Sequence, residues 1–136
     1  MSDLKKFYEN NSRKDLNKWH HYFDIYEENL SKYRKQNIIL LEIGVWRGGS
    51  LRMWQNYFNE NSLIVGIDNN PQCQKFEKDN LKIFIGDQTD IKFLEKIIKE
   101  IGQPDIIIDD GGHTANQQIT SFNFLYFHLK YGGKYI

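Results

Sequence analysis

Asp109, Asp110 and His113 fall within five residues, in the stretch DIIIDDGGHT. Two carboxylates and an imidazole this close together could move a proton beside a cation. Carboxylate oxygens suit Mg²⁺, which keeps several waters and needs few protein groups. An imidazole titrates near neutrality and can take a proton from a hydroxyl that such a cation has acidified. Gly111 and Gly112 permit a tight turn that would bring the three side chains into one pocket. The plainer alternative makes His113 a helix-start residue, but the Asp-Asp pair before it and the strand beneath favour the chemical reading. For Asp109 a structural role, bonding backbone amides of its own turn, stands beside a role at the ligand.

A second chemical stretch is LLEIGVWRGGS, with glycines at 44, 48 and 49. A dinucleotide fingerprint requires glycine two residues after the first, and Trp46 stands there instead, blocking a pyrophosphate. No Gly-Lys-Ser/Thr follows, so a phosphate loop is excluded too. The loop with Gly44 and Gly48 therefore suits a ligand without phosphate, and Glu42 can attract a cationic group directly or through water. Asp68, ending SLIVGID, is placed to accept both hydroxyls of a ribose. Asp87, ending LKIFIGD, can accept from the exocyclic amine of adenine, with Gln88 along the adenine face. A cationic amino-acid end, a ribose and an adenine without phosphate together describe S-adenosylmethionine. A purely structural alternative, in which acids cap the following helices, is preferred for Asp90 alone.

Parallel strands and helices must position these groups. NIILLEIGV, SLIVGID, LKIFIGD and PDIIIDD read as strands, the first apolar on both faces. GGSLRMWQNYF opens a helix with Ser50 in its first turn and Leu51, Trp54 and Phe58 on one side. NPQCQKFEK reads as a turn and short helix. TDIKFLEKIIKEIG is an amphipathic helix, capped by Thr89 or Asp90 and stopped by Gly102. HTANQQITSFNFLYFHLKYGG reads as a long helix with Ile119, Phe122, Leu125 and Leu129 inward. Phe122, Phe124, Tyr126 and Phe127 are expected in core and neighbour contacts. KYI begins a fifth strand, at which the chain stops. Before the sheet, residues 1 to about 12 read as frayed. From Asp15, apolar residues at 16, 19, 23, 26, 30 and 33 mark one face of a helix. The expected architecture is a doubly wound Rossmann-like α/β domain over 37–136, with a parallel sheet, preceded by a helical segment over 1–36.

These motifs, in register with the strands, resemble those of class I S-adenosylmethionine-dependent methyltransferases. LLEIGVWRGGS is similar to the family's first motif, VGIDNNP to its second and IGDQTD to its third. DIIIDDGGHT and the opening DLNKWHHY resemble the metal-dependent sugar O-methyltransferases that act on macrolide and related glycosides. The resemblance runs from about Asp15 to the last residue. It implies methyl transfer to a hydroxyl of a carbohydrate or glycosylated small molecule, with Asp110 as a Mg²⁺ ligand and His113 as the base. Glu42 is then either a second metal ligand or the anchor of the cofactor's amino group. The family carries a further acid after the fifth strand, and this chain stops at Ile136 before it. The alternative keeps the cofactor and drops turnover, leaving a truncated or non-catalytic S-adenosylmethionine-binding module.

Composition narrows the partners. Lys plus Arg equals Asp plus Glu, 18 each in 136 residues, so no basic face for nucleic acid is expected. No stretch is apolar enough for a membrane span or signal peptide, and the one cysteine, Cys73, excludes an internal disulfide. A cytoplasmic protein is expected. A parallel sheet ending at its fifth strand exposes an edge, which predicts homo-oligomerisation. His20, His21 and His128 read as surface or packed histidines, Trp46 and Arg47 as possible lining of the methionine end, and Cys73 as inert.

Overall fold

The computed structural model describes residues 2–136. Strands β1 (Ile39–Ile43), β2 (Leu63–Asp68), β3 (Leu81–Ile85), β4 (Ile106–Asp109) and β5 (Lys134–Tyr135) form one sheet, ordered β3-β2-β1-β4-β5. Every pairing is parallel. The helices are α1 (Asp3–Glu9), α2 (His20–Leu30), α3 (Gly49–Tyr57), α4 (Ile91–Ile101) and α5 (Ala115–Leu125). Strand order reverses between β1 and β4, and their carboxyl ends open the crevice where ligands of such sheets bind.

Alternation along the strands builds two cores. Leu40, Ile64, Ile106 and Ile108 pack with Phe23, Tyr26 and Trp54 on one face. Leu41, Ile43, Val65, Ile67 and Ile107 pack with Leu94, Ile97 and Leu125 on the other. Successive strand residues point to opposite faces, so continuous apolar runs are what a sheet covered on both sides requires. Leu4, Leu16 and Leu30 belong to the first core, so the N-terminal helices pack into the same cluster as the sheet.

The helix ends follow local chemistry. Asp90 caps α4 by accepting from the Phe93 amide, and Gly102 ends it at φ 85°. Thr114 and Gln117 form a capping box at the start of α5.

Four expectations change. The segment expected to fray contains α1, started by Ser2 and held by buried Leu4. α2 begins at His20, not near Asp15, and Leu16 and Lys18 are buried on the non-helical segment before it. The short helix over residues 71–76 is of the 3-10 rather than the α type. α5 ends at Leu125, followed by a 3-10 turn, and Ile119 and Phe122 are exposed rather than inward. Ser121 and Leu125 form its buried stripe, which leaves Tyr126 and Phe127 exposed as well.

Candidate functional site

A cleft of about 590 Å³ lies across the carboxyl ends of β1 to β4. That volume is in the range of small-molecule sites. Its walls carry Gly44, Asp68, Asp87, Gln88, Asp110 and His113, brought together from four strand ends. Glu42, Gly48 and Asp109 stand behind these walls and do not line it.

The loop after β1 closes against the loop after β4. Gly44 sits at φ 97°, and a Cβ there would lie 2.3 Å from the Asp110 carbonyl oxygen. Only glycine permits that approach. Trp46, at φ 50°, holds a left-handed backbone that a bulky side chain seldom adopts. Asp68 secures it: one carboxylate oxygen accepts from the Val45 amide (2.9 Å) and the Trp46 amide (3.2 Å). The other accepts from the Asn70 amide at 2.9 Å. Asp68 thus joins the β1 and β2 loops while it lines the cleft.

Gln88 and Asp109 brace the opposite wall. Gln88 Oε1 accepts from the Gly112 amide at 2.7 Å, and its amide nitrogen donates to Ser121 Oγ at 3.2 Å. Ser121 Oγ in turn donates to Asp109 at 3.1 Å. Asp109 also accepts from the Gly111 amide, so of the two uses open to it in the sequence the structural one is formed. Burial pushes the Asp109 carboxyl above the ordinary carboxylate range, against those hydrogen bonds. Asp87 accepts from the amide and hydroxyl of Thr89, both at 2.8 Å, and these hold its carboxyl below that range.

Glu42 departs from both uses foreseen for it. It is 0% exposed in an apolar strand. Ser50 Oγ donates to it at 2.8 Å, Trp54 Nε1 at 2.8 Å and Lys18 Nζ at 3.2 Å. A carboxylate enclosed by three donors offers no free edge to a metal ion or to an amino group in the cleft. Burial pushes its pKa up, while Lys18, Ser50 and Trp54 pull the other way.

Lys18 is the residue that sequence reasoning missed. Its side chain is 2% exposed, and Nζ also donates to Asp110 Oδ2 at 2.7 Å. Burial alone would lower the ammonium's pKa, but Glu42, Tyr26 and Asp110 outweigh it and the net direction is up. The segment before α2 is fixed for this contact. The Gly49 amide donates to Asp15 O, and Arg52 pairs with the Asp15 carboxylate at 2.6 Å. The only signal in the sequence was indirect: a glutamate inside an apolar strand requires a counter-charge.

Asp110 keeps an open edge, with its side chain 43% exposed, and His113 lies exposed on the same cleft. Among the described residues no three His, Cys, Asp or Glu side chains gather as a metal cluster. One accessible carboxylate still fits Mg²⁺, which is commonly held by one or two carboxylates plus waters. The cleft also fits a cationic ligand without phosphate. Asp15, Asp68, Asp87 and Asp110 line it against a single lysine. That lysine is already paired with two carboxylates.

No protein-family model matches the chain. It is 40% identical to the mycinamicin VI 2''-O-methyltransferase of Micromonospora griseorubida, over 82% of this chain and 29% of that protein. It is 35% identical to the 8-demethyl-8-(2-methoxy-alpha-L-rhamnosyl)-tetracenomycin-C 3'-O-methyltransferase of Streptomyces olivaceus, over 87% of this chain and 32% of that one. The chain spans about a third of the length of these curated relatives. Among solved structures, the MycE methyltransferase of the mycinamycin biosynthetic pathway, in complex with Mg, SAH and mycinamycin VI, superposes with a TM-score of 0.88. That match has 33% identity over 98% of this chain and 36% of that one. A caffeoyl-CoA O-methyltransferase-like structure from Staphylococcus aureus, 16% identical with a TM-score of 0.68, shares the fold.

Proposed function

We propose, on the premise that this chain is akin to the class I S-adenosylmethionine-dependent sugar O-methyltransferases, that its cleft binds S-adenosylmethionine for methyl transfer to a sugar hydroxyl. The observation that carries this reading is the cleft itself: four acids against one paired lysine, with Trp46 where a pyrophosphate would need glycine. Asp68, beside the strained Trp46 turn, accepts from the ribose hydroxyls. Asp87 faces the adenine end with Gln88 beside it, and Gln88 also keeps the loop of Gly111 and Gly112 in place. Gly44 and the loop after it face the amino-acid end.

When bound, S-adenosylmethionine supplies an electrophilic methyl group on its sulfonium, and Mg²⁺ lowers the pKa of a coordinated hydroxyl. Asp110, with its exposed carboxylate, would hold the metal. A ring nitrogen of His113 takes the acceptor's proton. The acceptor is a carbohydrate or glycosylated small molecule. We also propose that the β5 edge and the exposed aromatics of α5 pair with a second copy.

Calorimetric titration tests the reading. S-adenosylhomocysteine should bind, and ATP and NADH should not. His113→Ala should leave that affinity unchanged, because the exposed His113 side chain serves the acceptor's proton and not the cofactor. Tight binding of NADH would transfer the chain to a different chemistry.

A further inference from the structure

We propose that Lys18 is the resident cation of this site, a positioning residue that fills the place between Glu42 and Asp110 and confines any divalent ion to the open edge of Asp110. The inference rests on the reading of Asp110 as the metal ligand.

Glu42 lies on β1, and Asp110 directly follows the adjacent strand β4. Two carboxylates so placed, one of them sealed from water, attract a cation strongly, and among the described residues Lys18 alone pairs with them. The ammonium meets that demand from within the chain, at 3.2 Å and 2.7 Å from the two carboxylates. It rests 5.6 Å from the centre of the Tyr26 ring, which closes the apolar side.

Its delivery is specific. A helix running on from Asp15 would carry Lys18 around its axis. The non-helical run from Asp15 to Trp19 instead takes it inward, anchored where a Cβ on Gly49 would meet Asp15 O at 2.2 Å. With one oxygen of Asp110 held by Lys18, the other faces the cleft. A metal ion there would meet a single free oxygen rather than a pair of carboxylates.

The test replaces the ammonium and asks whether a metal ion takes its place. Lys18→Met leaves two carboxylates without their cation, and Lys18→Met/Glu42→Gln removes both charges of the pair. Mn²⁺ is the probe, followed by electron paramagnetic resonance and by thermal melting of the 136-residue chain. Lys18→Met should melt well below the wild type. It should bind Mn²⁺ at least about tenfold more tightly than the wild type, and recover melting temperature as Mn²⁺ is added. The double variant should melt near the wild type and show neither gain.

If Lys18→Met does not fold alone, refolding with MnCl₂ restores it under the proposal. Failure with and without Mn²⁺, while the double variant folds, overturns the proposal. Unchanged Mn²⁺ affinity in a folded Lys18→Met protein overturns it too, as does a double variant no more stable than the single one. Failure of the wild type to bind S-adenosylhomocysteine would instead remove the methyltransferase reading, and leave the metal-for-ammonium exchange as measured.

Discussion

Asp68→Asn is a nearly isosteric change whose effect can be worked from three hydrogen bonds. In the wild type, one carboxylate oxygen accepts from the Val45 and Trp46 amides, and the other from the Asn70 amide. Asparagine has one acceptor oxygen. If it serves Val45 and Trp46, its NH₂ faces the Asn70 amide. If it serves Asn70, the NH₂ faces two donors in the strained β1 turn. Either way a bond to a charged acceptor is exchanged for a donor–donor contact. Such bonds contribute about 1.5–3 kcal/mol, and partial exposure places this one at the low end. Unfolding entropy is about 2.1 cal/mol/K per residue, so for 136 residues a loss of ~1.5 kcal/mol lowers Tm by roughly 5 °C. The same side chain then offers an amide instead of an anion to the ribose hydroxyls. We expect affinity for S-adenosylhomocysteine to fall at least about tenfold, or ~1.4 kcal/mol. Differential scanning fluorimetry and calorimetric titration read the two effects separately. A variant with wild-type melting and wild-type affinity would refute the assignment of Asp68 to both loop and ligand. A loss of Tm alone would refute only the ligand part.

Other substitutions probe neighbouring contacts. Gly44→Ala drives a methyl group into the Asp110 carbonyl at positive φ and should cost about 2–4 kcal/mol, seen as a lower urea midpoint and loss of S-adenosylhomocysteine binding. Gln88→Leu removes the acceptor for the Gly112 amide and a donor to Ser121, so a loss of about 1–3 kcal/mol is expected, with faster amide exchange at Gly112. Trp54→Phe takes one donor from the buried Glu42 carboxylate and should destabilise by about 1.5–3 kcal/mol in chemical denaturation. Burial, and Asp68 nearby, push the Cys73 thiol up to about 11. Alkylation by iodoacetamide at pH 8 should therefore be slow in the folded chain and become fast only on unfolding.

Much of this protein is legible along the chain, because local pattern and local chemistry decide it. Apolar runs such as IILLEI, broken by turn residues and alternating with amphipathic stretches, suffice for a parallel sheet covered on both sides. Asp90 and Gly102 bound α4 through interactions with residues a few positions away. The acids at the strand ends converge because every parallel strand points its carboxyl end the same way. What remains depends on residues far apart in sequence. Lys18 reaches Asp110 across 92 positions, and no periodicity encodes that pairing. It also breaks the helical pattern over 15–19, since the charge buried at Glu42 outweighs the preference of one turn for helix. Whether Asp109 or Asp110 faces the cleft turned on the geometry of one loop, in which Ser121 and the Gly111 amide engage the first and leave the second exposed. The sequence by itself determined which chemical groups meet at the sheet's edge. Tertiary structure alone decided which of them keep a free oxygen, because a buried charge takes whichever partner the packed fold brings within reach.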